Sequence, residues 1–115
     1  MKNNIILISE NGRNKVEEKL AQKLNKKLYN VIEEIEKYVN MNVDTILQTF
    51  GERKLKNVES VIIKKLAREE NVVISIREKA LTKEENIINL KQNGIMIWNL
   101  QELSKQDLLK IFEIS

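Results

Sequence analysis

The stretch Ile5-Ile6-Leu7-Ile8-Ser9-Glu10-Asn11-Gly12-Arg13-Asn14-Lys15-Val16 decides the fold. Four apolar residues in a row lead into a polar turn with one glycine, and a periodic segment follows, which is the layout of strand, tight turn and helix. An unbroken apolar run predicts a strand covered on both faces, and therefore a parallel sheet. The turn stands where a phosphate-binding loop would stand. Such a loop reads G-x-x-x-x-G-K-[ST], because glycines let backbone N–H groups approach the phosphates and the hydroxyl serves the metal. Here Gly12 is the one glycine, and the candidate cations Arg13 and Lys15 are followed by Asn14 and Val16 rather than by Ser or Thr. Gly12, Arg13 and Lys15 are thus the candidate remnants of a phosphate loop, at a helix N-terminus that attracts anions by itself. The plainer reading of the same residues is a solvated basic turn.

Outward from this stretch, the period switches repeatedly. Val16, Leu20, Leu24 and Leu28 recur every four residues and predict a helix over 14–27, and Leu28 to Ile32 reads as a short second strand. Residues 33–40 and 43–50 read as two short helices, the second capped by Asn42 or Asp44 and ended by Gly51, before a longer helix over 52–70. Val72-Val73-Ile74-Ser75-Ile76 is a β-branched central strand. Thr82 with Glu85 has the spacing of a capping box for a helix over 83–93, and Gly94 stands as the helix-terminating residue in the C′ position. Ile95-Met96-Ile97-Trp98 reads as a buried strand with Trp98 in the core, and Ser104 with Asp107 precedes a last helix over 105–113. Buried strands alternating with helices predict a single α/β domain over 1–115, a three-layer sandwich around a parallel four-stranded sheet.

Composition bounds the function. The 115 residues contain no histidine and no cysteine, which excludes an ordinary zinc site, disulfides and Cys/His or Ser/His nucleophile pairs. No apolar run approaches the roughly 20 residues needed to span a bilayer, and the start is too short for a signal peptide, so a cytoplasmic location is expected. Lys and Arg number 20 against 17 Asp and Glu. They alternate along helical segments such as Glu17-Glu18-Lys19 and Glu33-Glu34-Ile35-Glu36-Lys37, the pattern of solvated helix faces rather than of a nucleic-acid patch. The abundance of Asn, Ile and Lys reads as compositional drift.

Taken in order, Asn4-Ile5-Ile6-Leu7-Ile8, Lys19-Leu20-Ala21-Gln22-Lys23-Leu24, Glu33 to Lys37, Gly51-Glu52, Glu59, Glu70-Asn71-Val72-Val73-Ile74 and Lys91-Gln92-Asn93-Gly94-Ile95-Met96-Ile97-Trp98 resemble the shikimate kinase family of P-loop kinases. The resemblance runs from residue 4 to about residue 110 and implies a sheet of order 2-3-1-4. The functional positions depart from it. Where the family has a G-x-x-G-x-G-K-S/T loop, alignment on the strand puts the lysine at Lys15 and alignment on the helix puts the cation at Arg13. The family's Asp-x-Asp, one acid near the metal and one on the substrate hydroxyls, falls at Asn30 and Ile32. Its substrate-carboxylate arginine falls at Lys56, which loses the bidentate fork, and its partner acid is kept as Glu59. Its Gly-Gly-Gly turn becomes Arg77-Glu78-Lys79, whose side chains are expected to fill the pocket, with Arg77, Glu78, Lys56 and Glu59 forming an ion-pair network that plugs it. The family's lid and last strand have no counterpart in the 115 residues.

What the resemblance implies is therefore a truncated, degenerate member: no catalytic residues, no metal, no cofactor, and Asn30, Lys56, Glu59 and Arg77 as remnants of the substrate pocket. A catalytically inactive binding or regulatory module is expected. The alternative is a residual shikimate kinase or nucleotide-binding protein that keeps ATP and Mg²⁺. Gly94 to Asn99 would form an apolar sheet edge, which proteins rarely leave exposed, so a homodimer or a protein partner is expected there and at the last helix.

Overall fold

The computed structural model describes residues 3–12 and 16–98 (for Val16 the backbone only). Strand β1 (Asn4–Ser9) is buried from Asn4 to Ile8. Strands β3 (Val72–Arg77) and β4 (Gly94–Trp98) pair on its two sides, and β2 (Lys27–Asn30) pairs on β3, all parallel, giving the order β2-β3-β1-β4. Alternation along β1 divides the core. Ile5 and Leu7 pack with Val73 against Leu20 and Ala21 of helix α1 (Val16–Leu24). Ile6 and Ile8 pack with Ile74 and Ile76 under α2 (Val31–Val39), α3 (Val43–Phe50), α4 (Glu52–Leu66) and α5 (Glu84–Asn93), which supply Ile35, Ile46, Leu55, Ile63 and Leu90. This is the expected three-layer sandwich, with a strand buried on both faces at its centre. No helix among the described residues is long and apolar enough to cross a membrane.

Several boundaries differ from expectation, each for a local reason. Helix α1 stops at Leu24 rather than at residue 27, because Asn25 is left-handed (φ 53°) and the Lys26 N–H donates back to the Ala21 carbonyl at 2.9 Å. Leu28 continues the four-residue spacing but lies in β2, where it packs against the α1 side of the sheet. The second strand ends at Asn30, whose side chain accepts from the Glu33 N–H and starts α2, so Ile32 is helical. Asn42, not Asp44, caps α3 by accepting from the Thr45 N–H at 2.8 Å. The Thr82–Glu85 capping box does not form. Thr82 closes a short 3-10 helix (Glu78–Thr82) and donates to the Lys79 carbonyl at 2.8 Å, while α5 begins after Lys83 with no side-chain cap. Trp98 is 50% exposed at the end of the edge strand and is no part of the core. Asn99 and the expected helix over 105–113 lie outside the described residues.

Gly94 is a glycine for another reason than the one expected. Its backbone is extended (φ −140°), and α5 passes into β4 with no intervening loop. A Cβ there would lie 2.8 Å from the Leu90 carbonyl oxygen and 2.9 Å from Ile6 Cδ1, so helix and sheet close on bare backbone. Gly94→Ala should cost about 1–3 kcal/mol, as overpacking does. In urea unfolding the midpoint should fall while the slope stays unchanged.

Candidate functional site

In open parallel sheets, ligands bind beyond the carboxyl ends of the strands at the point where the strand order reverses. That point lies between β1 and β3, since the chain builds β2 and β3 on one side of β1 and β4 on the other. The residues after β1 and the end of β3 meet there. Gly12 has φ +73°, and a Cβ on it would sit 3.1 Å from the Arg77 backbone nitrogen and 3.2 Å from Arg77 Cβ. The turn thus lies directly on the end of β3, which a side chain at this position would prevent.

Polar side chains hold the turn from below. The Gly12 carbonyl accepts from Asn30 Nδ2 at 2.7 Å and from Ser75 Oγ at 3.2 Å, both buried. Asn30 also accepts from the Glu33 N–H at 3.1 Å through Oδ1. One asparagine therefore caps α2 and ties it to the turn after β1. Ser75 also hydrogen-bonds to a carboxylate oxygen of Glu17, in the first turn of α1. Glu17 is only 3% exposed, so its segment is not the wholly solvated face that its neighbours Glu18 and Lys19 suggest. Arg13 and Lys15 lie outside the described residues.

Arg77 ends β3 and is 7% exposed, and Glu59 of α4 is fully buried beneath it. Arg77 Nε reaches Glu59 Oε2 at 2.6 Å and Nη2 reaches Oε1 at 3.0 Å, a two-pronged charge-assisted pair. Nη1 meets Glu52 Oε1 at 2.8 Å. Burial works against the Arg77 charge, but the hydrogen bonds and charges of Glu59, then of Glu52, outweigh it and hold the guanidinium proton more tightly than usual.

The expected network is thus realised in part and with different members. Glu52 joins where Glu78 was expected, Glu78 is exposed, and Lys56 donates instead to Thr82 Oγ1 at 3.1 Å. Nor is the pocket plugged. Arg77 is drawn towards α4, and a cleft of about 560 Å³ stays open beside it, lined by Asn11, Ile32, Glu36, Asp44, Leu55 and Lys79 among others. Gly12, Asn30, Glu59 and Arg77 are brought together, while Lys56, on the same helix as Glu59, bonds to Thr82. Ser75, Glu17 and Glu52 were not foreseen. Serine inside a β-branched strand and glutamate in a first helical turn carry no signal beyond strand filler and helix-dipole acid.

Breaking the buried pair from one side should be severe. Glu59→Leu leaves a buried guanidinium with Glu52 alone and should cost about 3–5 kcal/mol, and adding Arg77→Met should recover most of it. Thermal unfolding of the two single variants and the double variant checks this.

Comparison with known proteins gives the lineage. A family model described as shikimate kinase matches residues 11–106. The chain is 34% identical over 96 residues to shikimate kinase of Pelotomaculum thermopropionicum, covering 82% of this chain and 56% of that protein. It is 31% identical over 85 residues to the enzyme of Caldicellulosiruptor bescii, covering 74% and 49%. The chain spans about half the length of the curated relatives it matches. Among solved structures, shikimate kinase from Acinetobacter baumannii in complex with shikimate superposes with a TM-score of 0.78 at 23% identity, covering 97% of this chain and 76% of that one. Sheet order, strand-turn-helix layout and sequence likeness point the same way, and the chain belongs to the shikimate kinase family.

Proposed function

We propose that this chain is a non-catalytic member of its family that works as a binding or regulatory module. Asn30 carries the reading. At the position where the family resemblance puts the metal-side acid, the amide nitrogen donates to the Gly12 carbonyl and the oxygen caps α2. A carboxylate facing a metal is thereby replaced by a donor facing the loop. The described residues fit Mg²⁺ and ATP poorly for the same reason. The Gly12 carbonyl and the Glu17 carboxylate are engaged beneath the turn by Asn30 and Ser75 rather than by a metal or its water. The second acid position is the apolar Ile32, and Lys56 is engaged by Thr82. Phosphoryl transfer rests on positioning and electrostatics. Loss of each such contact lowers the rate by about 10²–10³-fold, so several together leave no useful turnover.

The open cleft beside Arg77 favours a second reading, in which a small hydroxy acid or a nucleotide still binds. One experiment separates the two. The protein is mixed with shikimate and Mg·ATP, ADP release is followed, and each ligand is titrated separately by amide NMR. No turnover and no shift at Gly12 with millimolar Mg·ATP are expected. Saturable shifts at Arg77 and Lys79 with shikimate would support the second reading, and ADP release above background would overturn the first.

The module also needs a surface to act through. The outer side of β4 has no strand partner among the described residues. Beside it lies a hollow of about 650 Å³ lined by Leu81, Ile87, Lys91, Ile95, Met96 and Trp98, among others. A second copy of the chain pairing along this edge would cover it. Sedimentation velocity over a wide dilution series should show a concentration-dependent dimer that Trp98→Lys abolishes.

A further inference from the structure

We infer that the outer face of α4 is a docking strip for an acidic helical segment of a partner protein. The strip gives the binding module proposed above a partner of stated chemistry, on a surface other than the β4 edge. The exposed residues of α4 are Arg53, Lys54, Asn57, Val61, Lys64 and Lys65, and Arg68 is exposed just beyond its end. They recur every three or four residues and so share one face, over about 18 Å of helix from Arg53 to Lys65. No acid stands among them. Both acids of α4 are committed to Arg77: Glu59 is buried beneath it and Glu52 pairs with it. Burying one arginine thus leaves the cations of this helix without their counter-charges. Among the described residues, the side chains of Arg53, Lys54, Lys64, Lys65 and Arg68 form no ion pair or hydrogen bond. Lys83, just before α5, donates to Asn57 Oδ1 at 2.9 Å and adds a further cation at the edge of the strip.

Stability of the helix accounts for only one end of this strip. Lys64 and Lys65 lie in the last turn, where the helix dipole favours cations. Arg53 and Lys54 lie in the first turn, where it disfavours them, behind Gly51, which offers no side-chain cap. Apolar side chains accompany the cations. Phe50, at the joint of α3 and α4, and Val61, midway along the strip, are each 53% exposed. Cations around an apolar centre complement a protein surface with a leucine-like contact inside an acidic rim. The strip is also narrow. Glu69 and Glu70 follow Arg68, and Glu84 and Glu85 follow Lys83, all exposed. A nucleic acid, with a phosphate at every step of its backbone, would bring charge onto these acids as well as onto the cations. A helix with its acids in a single row meets the cations alone.

The test uses the full chain and a fluorescein-labelled peptide of about 20 residues that carries glutamates along one helix face around a central leucine. Anisotropy at about 50 mM NaCl should show saturable binding, with amide NMR shifts along α4 from Arg53 to Lys65. Affinity should fall about tenfold between roughly 50 and 300 mM NaCl, as screening shortens the reach of exposed charges. Arg53→Gln with Lys54→Gln, and Lys64→Gln with Lys65→Gln, should each weaken binding about fivefold or more. Lys19→Gln with Lys23→Gln, on α1 across the sheet, removes the same net charge and should leave the affinity unchanged. The first-turn pair should also melt no lower than wild type, because its cations oppose the helix dipole. No saturable binding, an equal loss in the α1 pair, or a lower melting temperature of the first-turn pair overturns the inference. Tighter binding of an oligothymidylate of about the same length than of the peptide overturns it too, since the face would then serve a nucleic acid. None of these outcomes touches the non-catalytic reading, which stands or falls on the release of ADP.

Discussion

A guanidinium cannot be buried without its anion, and much of this molecule is arranged around that constraint. Arg77 closes the central strand of the sheet and is nearly enclosed. Glu59 answers it from the middle of α4 and Glu52 from the first turn of the same helix. One side chain thereby fixes the longest described helix against the carboxyl end of the sheet. It also decides the shape of what lies next to it: because Arg77 is drawn towards α4, the space between α2, α3 and the turn after β1 stays open. A buried ion pair gives little net stability over a well-packed apolar pair. Its effect here is on where things stand.

The turn after β1 follows the same logic on a smaller scale. Its carbonyl is held by Asn30 and Ser75, Asn30 is held by α2, and Ser75 is shared with Glu17. Polar groups buried in this way reinforce one another when each has a partner.

Much of the fold was legible in the sequence because buried strands and amphipathic helices impose period and length on it. The runs Ile5–Ile8, Val72–Ile76 and Ile95–Trp98 are strands, and the sheet order implied by the family resemblance is the observed one. Boundaries were less legible, and asparagine is the main reason. With three glycines and no proline, the chain turns on Asn25, Asn40 and Asn71, all left-handed, and starts helices with Asn30 and Asn42. What reads as compositional drift is in part the punctuation of the fold, since asparagine tolerates the left-handed region and caps well. In the candidate site, Gly12 and the pairing of Arg77 with Glu59 followed from sequence and resemblance together. Glu17 and Ser75 did not, because nothing in a local pattern distinguishes a first-turn glutamate that faces water from one that faces a sheet.

The joint between α5 and β4 places a constraint on the lineage rather than on the molecule alone. Helix becomes strand at Gly94 with no residue in between to absorb slack. One residue gained or lost there would turn α5 by about 100° or exchange the two faces of β4. Either change would put Leu90, or Ile97 and Met96, on the wrong side of the sheet. Descendants of this chain can therefore change letters at the joint far more easily than they can change length, and its spacing from Leu90 to Trp98 should outlast most of its sequence.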